Sequence, residues 1–303
     1  MSVLCGIDLG GTKIEGVLLE SAENPKVLHR MRIPTEAVKG YENIIGKIVE
    51  LRGMLEKESG LKIERLGIGT PGALDPTSQT MKNSNTTCLN GQPFKKDLEE
   101  ALGMSILMAN DANCFALAEA TMGIVPDEVP NAEVVFGVIM GTGVGGGVVV
   151  NGKVLNGRHG IGGEWGHNFL DKSGGKSYSG LHGNVETILA GPSLERYYRS
   201  IGGGESIRLP EIYQRHLDGT DPLASQTIQR LLTFFGKAIA YVINILDPDA
   251  VVLGGGVGNI DLLYTEGAKE AGKHVFNKVL ETKFLKPKLG DSAGVFGAAM
   301  LWG

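Results

Sequence analysis

The sequence predicts an α/β protein made of two similar units facing one another across a cleft. Three observations predict it. The stretch "VLCGIDLGGTKIEGVLLE" near the N-terminus reads as strand, glycine turn, strand, and "VVFGVIMGTGVGGGVVVNGKVL" repeats that reading about 130 residues later. Each half also carries a helical pattern followed by a short apolar strand that ends in glycines. Finally, 46 of the 303 residues are glycine, about twice the usual share. They gather at strand ends, where bare backbone lets a ligand approach. A cleft between two such units is a common place for a ligand.

The elements follow in order. After the first hairpin, "ENIIGKIVELRGMLEKES" has helical spacing and leads into "RLGIGTPGALD", a strand closing in glycines. "NDANCFALAEA" reads as a helix with Asp111 at its N-terminal edge. Two prolines in "TMGIVPDEVPNAE" end that helix and mark the boundary, giving units at 1–120 and 121–290. The second hairpin contains Gly141-x-Gly143-x-x-Gly146, the spacing of a dinucleotide fingerprint. That fingerprint must open a helix. Here valines and the Asn151-Gly152 turn signal follow, so the stretch predicts strand, turn, strand instead. "GNVETILAGPSLE" places Glu186 in a helical pattern. In "RLLTFFGKAIAYVINILDPD" the apolar residues Leu231, Leu232, Phe235, Ala238, Ile239, Val242 and Ile245 follow helical spacing, and "AVVLGGGVGNI" is the strand after it. The closing "GVFGAAMLW" is a short apolar helix pattern.

Composition excludes several classes. With 42% hydrophobic and 21% charged residues the chain has ample material for a core. A net charge of -5 without a basic stripe argues against nucleic-acid binding. Cys5, Cys88 and Cys114 are far apart, which argues against a disulfide framework or thiolate zinc site and fits a reducing cytoplasm. "MSVLCGIDLGG" enters a strand pattern without a charged leader, and the glycines of 134–150 point to sheet rather than a membrane span.

Three glycine loops stand at strand ends: "DLGGTK", "GTGVGGG" and "GGGVG". Each is a tight turn or an anion cradle of successive N–H groups. Their repetition at parallel places in two halves favours the cradle. The ligand expected is a nucleoside triphosphate with Mg²⁺. Asp8 is placed to reach the metal through water, Thr12 and Thr142 offer hydroxyls to phosphate, and Lys13 meets phosphate charge or stands solvated. No GxxxxGK[ST] occurs, so a P-loop is excluded.

On the acceptor side, Asp111 fits two roles, an N-cap or the general base that takes a proton from an attacking hydroxyl. Asn110 can hold a neighbouring hydroxyl. Glu164, His167 and Glu186 bring carboxylate and imidazole groups suited to a polyol, although each also has an ordinary reading as a capping acid or a satisfied loop histidine.

The pieces "GIDLGGTKIE", "GIGTPG", "NSNTTCLNGQPF", "NDANCFALAEA", "GTGVGGG", "GIGGEWGHN" and "NILDPDAVVLGGG" cover nearly the entire length in order, and with them the chain resembles the ROK family of sugar kinases. The resemblance implies a two-lobed actin/hexokinase-like (ribonuclease H-like) duplication, with helix 291–303 returning to the first lobe. It implies ATP-dependent phosphorylation of a hexose, usually at O6, with Asp111 as the base. Gly72, Asn83, Asn85, Asn110, Asp111, Glu164, His167 and Glu186 would line the sugar side. Asp8, Gly10, Gly11, Thr12, Lys13, Gly141, Thr142, Gly143, Gly254, Gly255 and Gly256 would hold ATP. A homodimer is also implied.

"NSNTTCLNGQPF" and "GDSAGVFGAAMLW" look most like the fructokinase and mannokinase members, so fructose is the sugar expected, with glucokinase, mannokinase or N-acetylglucosamine kinase as alternatives. The family's CxCGxxGCxE segment, which joins the histidine of the GHN-type motif on structural zinc, reads "SYSGLHGNVE" here. Ser177, Ser179 and Asn184 replace its cysteines, and His167 with His182 would not close a site, so no structural zinc is expected. A sugar-responsive regulator is the reading from another class; its DNA-binding module has no counterpart ahead of the first phosphate strand. A catalytically dead sugar-binding module is a third, opposed by Asp111 and the three loops.

Overall fold

A computed structural model describes residues 3–177 and 180–303. The chain divides into two compact units. One comprises Met1–Pro130, Gly147–Gly163 and Lys288–Gly303; the other comprises Asn131–Gly146 and Glu164–Pro287. The segment Gly147–Gly163 thus belongs with the first unit, which the linear division at 120 did not anticipate.

The order begins β1 (Leu4–Leu9), β2 (Lys13–Leu19), β3 (Val27–Pro34), α1 (Tyr41–Ser59), β4 (Leu66–Thr70), β5 (Ala73–Leu74), β6 (Met81–Lys82), α2 (Phe94–Leu102), β7 (Ile106–Asn110), α3 (Asp111–Thr121) and α4 (Val125–Glu128). It continues β8 (Val134–Met140), β9 (Val144–Val150), β10 (Lys153–Val154), α5 (Val185–Leu189), α6 (Gly191–Ser200), α7 (Leu209–Leu217) and α8 (Pro222–Leu246). It ends β11 (Ala250–Gly254), α9 (Gly255–Gly258), α10 (Glu266–Gly272), β12 (Lys283–Leu285) and α11 (Ala293–Met300).

The two sheets repeat one topology. The first has the order β3-β2-β1-β4-β7 and the second β10-β9-β8-β11-β12. In each, the first three strands in sequence lie side by side, and the fourth and fifth add parallel strands beyond the first. The echo in the sequence is therefore an echo of topology. At the second hairpin Asn151 and Gly152 both take positive φ, 49° and 72°, the backbone a two-residue turn of that kind requires.

Helices cover both faces of β1 and β4. Ile44, Ile45, Ile48, Leu51 and Leu55 form the buried stripe of α1, with Leu51 and Leu55 lying over Gly16 of β2. On the opposite face α11 sits directly on the strand backbones. A side chain on Gly6 would overlap the Val295 carbonyl, and one on Gly67 would overlap that of Ala298. Where α11 crosses α3, a side chain on Gly297 would overlap the Cys114 carbonyl. Three glycines therefore bring the C-terminal helix close to the strand ends that carry the candidate site. In the other unit α8 buries Leu231, Leu232, Phe235, Ala238, Ile239 and Val242. Ile245, in the last turn of α8, is 81% exposed, and Ile243 is buried instead. No helix among the described residues is long and apolar enough to cross a membrane.

Candidate functional site

In the first unit, the chemistry-bearing residues gather at the C-terminal ends of β1, β4 and β7. Asp8 pairs across the sheet with Glu15 on β2 and Gly69 on β4. Its carboxyl group fits between Gly69 and Gly294, with the Cys114 thiol on the Gly69 side. Burial first, then the Asp111 and Glu15 carboxylates, push Asp8 up to about 6, with Lys13 opposing. Asp8 and Asp111 therefore share one electrostatic environment although 103 positions separate them in the chain. The same two carboxylates add to the burial that holds the Cys114 thiol protonated. Glu15 itself is buried and paired with Arg30 and Arg32, and Arg30 also donates to Ser292 Oγ.

The turn at residues 10–13 closes through Gly10 N–H donating to Lys13 O at 3.0 Å. Thr35, fully buried at the end of β3, fixes it from below: its hydroxyl donates to Gly10 O at 2.7 Å and its N–H to Thr12 O at 3.0 Å. Gly11, Thr12 and Lys13 stand exposed, and a side chain on Gly11 would meet only open space.

The junction of β7 and α3 corrects one expectation. Asn110, not Asp111, is the N-cap, and its Oδ1 accepts from Asn113 N–H at 2.8 Å. Asp111 is the first helical residue. Its Oδ1 accepts from Ala112 N–H at 2.8 Å, and the residue is exposed. The capping role is thus filled by its neighbour. Gly147 lets β9 approach here, since a side chain on it would collide with Ala112 O and Asn113. Gly72, at φ +90°, packs its backbone against Lys82 and Ser84, which brings "GTPG" beside "NSN". Asn90 holds Ser84 from both sides, accepting from its N–H at 2.8 Å and donating to its carbonyl at 2.9 Å. Asn83 and Asn85, flanking Ser84, are exposed, and Asn83 takes the left-handed conformation at φ 56°.

In the second unit, the turn at residues 141–143 closes through Gly141 N–H to Gly143 O at 2.9 Å. Two elements hold it. Gly191 N–H, at the start of α6, donates to Gly141 O at 2.9 Å, and Glu186 Oε2 accepts from Val144 N–H at 3.0 Å. Glu186 is therefore neither a surface acid nor a helix cap, since α5 carries it onto the glycine turn. The "GGG" segment also differs from the loop expected. Gly254 ends β11, and α9 starts at Gly255, whose φ of +79° lets it press on Met140. Residues 254–256 thus lie beside the end of the strand that leads into residues 141–143. Gly141 and Gly256 present open backbone.

Glu164 and His167 bracket a short 3-10 turn, with His167 Nδ1 3.4 Å from Glu164 Oε2. The Glu164 carboxylate pushes the His167 imidazole above its ordinary range, against partial burial, and Glu186 is near enough to add to the effect. Glu164, His167 and Glu186 therefore form one cluster. Trp165 anchors it: its Nε1 donates to Gly145 O at 3.0 Å, and its ring packs edge-on to Phe136 at 5.7 Å. Gly166 passes so close to Val144 that no side chain fits there.

The ROK family pattern matches residues 4–303. The chain belongs to the ROK family. It is 36% identical over 310 residues to an N-acetyl-D-glucosamine kinase of Vibrio cholerae, covering 98% of each chain. Its fold matches the ROK hexokinase of Thermus thermophilus with a TM-score of 0.85 at 32% identity, covering 99% of this chain and 97% of that one. It also matches a ROK glucokinase of Streptomyces griseus, solved in complex with glucose and AMPPNP, with a TM-score of 0.75 at 25% identity and 99% of each chain covered. The α/β architecture is thus that of the actin/hexokinase-like ROK proteins.

The residues present fit a magnesium nucleotide. In the first unit the exposed turn at residues 10–13 offers bare amides, and the crowded carboxylates Asp8 and Asp111 would be eased by a divalent cation. Thr35, Asn90 and Gly191 support these elements and were missed in the sequence, because each acts through one long-range hydrogen bond that no local pattern announces. Ser179 lies outside the described residues.

Proposed function

We propose that this ROK protein is an ATP-dependent hexose kinase that phosphorylates O6 of N-acetylglucosamine, with Asp111 as the general base. The observation that carries the reading is that the Asp111 carboxylate lies near enough to Asp8, the strand end before the turn at residues 10–13, for its like charge to add to the burial that raises Asp8. A proton acceptor adjoining a phosphate cradle is what phosphoryl transfer to a hydroxyl requires.

In this reading the turns at residues 10–13 and 141–143, with residues 254–256, hold the ATP phosphates through backbone amides, aided by Thr12, Thr142 and Lys13. Asp8 would hold Mg²⁺, which would supply charge neutralisation on phosphate oxygens. Asn110 has committed Oδ1 to its helix, which leaves Nδ2 to donate to a sugar hydroxyl. Glu186 has committed Oε2 to Val144 and offers Oε1. Glu164 fixes His167 by the contact between them, so the imidazole meets the sugar in one orientation. Gly72, Asn83 and Asn85 complete the sugar ligands. Asp111 accepts the proton as the hydroxyl attacks the γ-phosphorus, and the phosphoryl group leaves ADP. In this reading hydrogen bonds, rather than zinc, hold the segment that carries Glu186.

The sequence reading favours fructose. The Vibrio cholerae relative, named an N-acetyl-D-glucosamine kinase, moves the choice to the acetylated sugar, and the glucose-bound Streptomyces griseus structure makes glucose the second candidate. A coupled ADP-release assay on N-acetylglucosamine, glucose, mannose and fructose tests the choice. We expect the highest kcat/KM on N-acetylglucosamine; a higher value on fructose would return the assignment to fructokinase.

A further inference from the structure

Thr35 makes a contact that the closing of the first glycine turn does not need. Gly10 N–H on Lys13 O at 3.0 Å already closes that turn. Valine has the shape of threonine and would fill the same fully buried place. What the hydroxyl adds is its bond to Gly10 O at 2.7 Å. The backbone of Thr35 is held on both sides. Its N–H donates to Thr12 O at 3.0 Å, and Asn43 Nδ2, on α1, donates to Thr35 O at 3.1 Å and to Glu36 O at 3.2 Å. The hydroxyl therefore stands at a fixed place under the turn.

What it controls is the peptide unit between Gly10 and Gly11. Turning that unit over changes ψ of one glycine and φ of the next, and glycine accepts either orientation at little steric cost. No side chain of the turn itself decides between them. The two orientations have opposite chemistry, because a trans peptide carries its C=O and its N–H on opposite sides. With Gly10 O drawn onto buried Thr35, Gly11 N–H faces the exposed side of the turn. A side chain on Gly11 would meet only open space, so an anion has room there. Turned over, the same unit would offer that anion a carbonyl oxygen, which repels it.

We propose that Thr35 is a positioning residue for phosphoryl transfer, its hydroxyl holding the Gly10–Gly11 peptide so that Gly11 N–H meets a phosphate oxygen of the nucleotide. Thr35 touches no reactant and acts through Gly10 O. The proposal rests on the reading of the turn at residues 10–13 as a phosphate cradle.

The test compares the KM for ATP with the KM for the preferred sugar of the four assayed above, in the unaltered enzyme and in Thr35→Val, Thr35→Ser and Gly11→Val. Valine keeps the bulk and removes the bond, whereas serine keeps the bond. In Thr35→Val we expect the KM for ATP to rise about fivefold or more, the loss of one oriented hydrogen bond, while the KM for the sugar stays within about twofold. Thr35→Ser should keep the KM for ATP within about twofold of the unaltered enzyme. An unmoved KM for ATP in Thr35→Val, an equal rise in Thr35→Ser, or a rise shared by both substrates overturns the proposal. If Thr35→Val does not fold, Thr35→Ala removes the same hydroxyl without setting a methyl against Gly10 O, and the same outcomes decide. Gly11→Val tests the cradle itself, since its side chain enters the open space over the turn. If it leaves the KM for ATP unchanged, the reading of the turn fails and the proposal with it. If it raises that KM and Thr35→Val does not, the role of Thr35 alone is lost.

Discussion

Asp8 shows how one residue can be costly to the fold and useful to the chemistry. Its carboxyl is raised from 3.8 to about 6, chiefly by burial and then by Asp111. The sign follows from linkage. A carboxyl with a higher pKa folded than unfolded favours folding when protonated, so its contribution is complete below about 3.8 and is lost as pH rises through about 6. Ionised Asp8 therefore destabilises the apoprotein at neutral pH by at most about 3 kcal/mol. Asp8→Asn should be more stable than the unaltered protein at pH 8, and about half of that gain should be gone at pH 5. Urea denaturation at the two pH values measures it; a gain of equal size at both would show that Asp8 is not strained by its neighbours. A carboxyl held under such strain suits a role with a cation.

At the scale of the element, the described residues between Asn168 and Asn184 are tied together by backbone hydrogen bonds. Among the described residues, no group of three His, Cys, Asp or Glu could hold an ion. Leu170 and Asp171 N–H groups donate to Gly183 O, Gly183 N–H to Gly175 O, Ser177 N–H to Leu181 O and Val185 N–H to Asn168 O. Gly183, at φ +73°, allows the close approach to Asp171. Asn184, where the family has a cysteine, is buried and serves as the residue from which α5 starts. Dialysis against a strong chelator should release no stoichiometric zinc and leave Tm within about 2 °C, since a structural zinc would be worth many times the 1 kcal/mol that such a shift represents. Zinc release with a larger drop would reverse the assignment. The absence of thiolates was legible from Ser177 and Asn184, but the set of backbone bonds was not. It depends on which carbonyls the fold brings opposite, and side-chain patterns carry no record of that.

Across the whole molecule, the legible part was whatever has a short sequence period. The paired hairpins, the helices and the order of the glycine turns follow from alternation and helical spacing, and the two sheets repeat accordingly. The unread part consists of single long-range contacts: Thr35 under the turn at residues 10–13, Glu186 on Val144, Gly191 on Gly141, and Gly67 beneath α11. Each joins residues far apart in the chain by one atom pair, so no local window contains it. The same reasoning explains why Asp111, read by itself, looked more like a cap than a base until Asn110 proved to hold the cap. That leaves the carboxyl beside Asp8 as the centre of the account, and one measurement bears on it most directly. In Asp111→Asn, kcat for the sugar substrate should fall about 10²–10⁴-fold while ATP affinity and Tm stay close to those of the unaltered enzyme; turnover near normal would contradict a proton acceptor at this position.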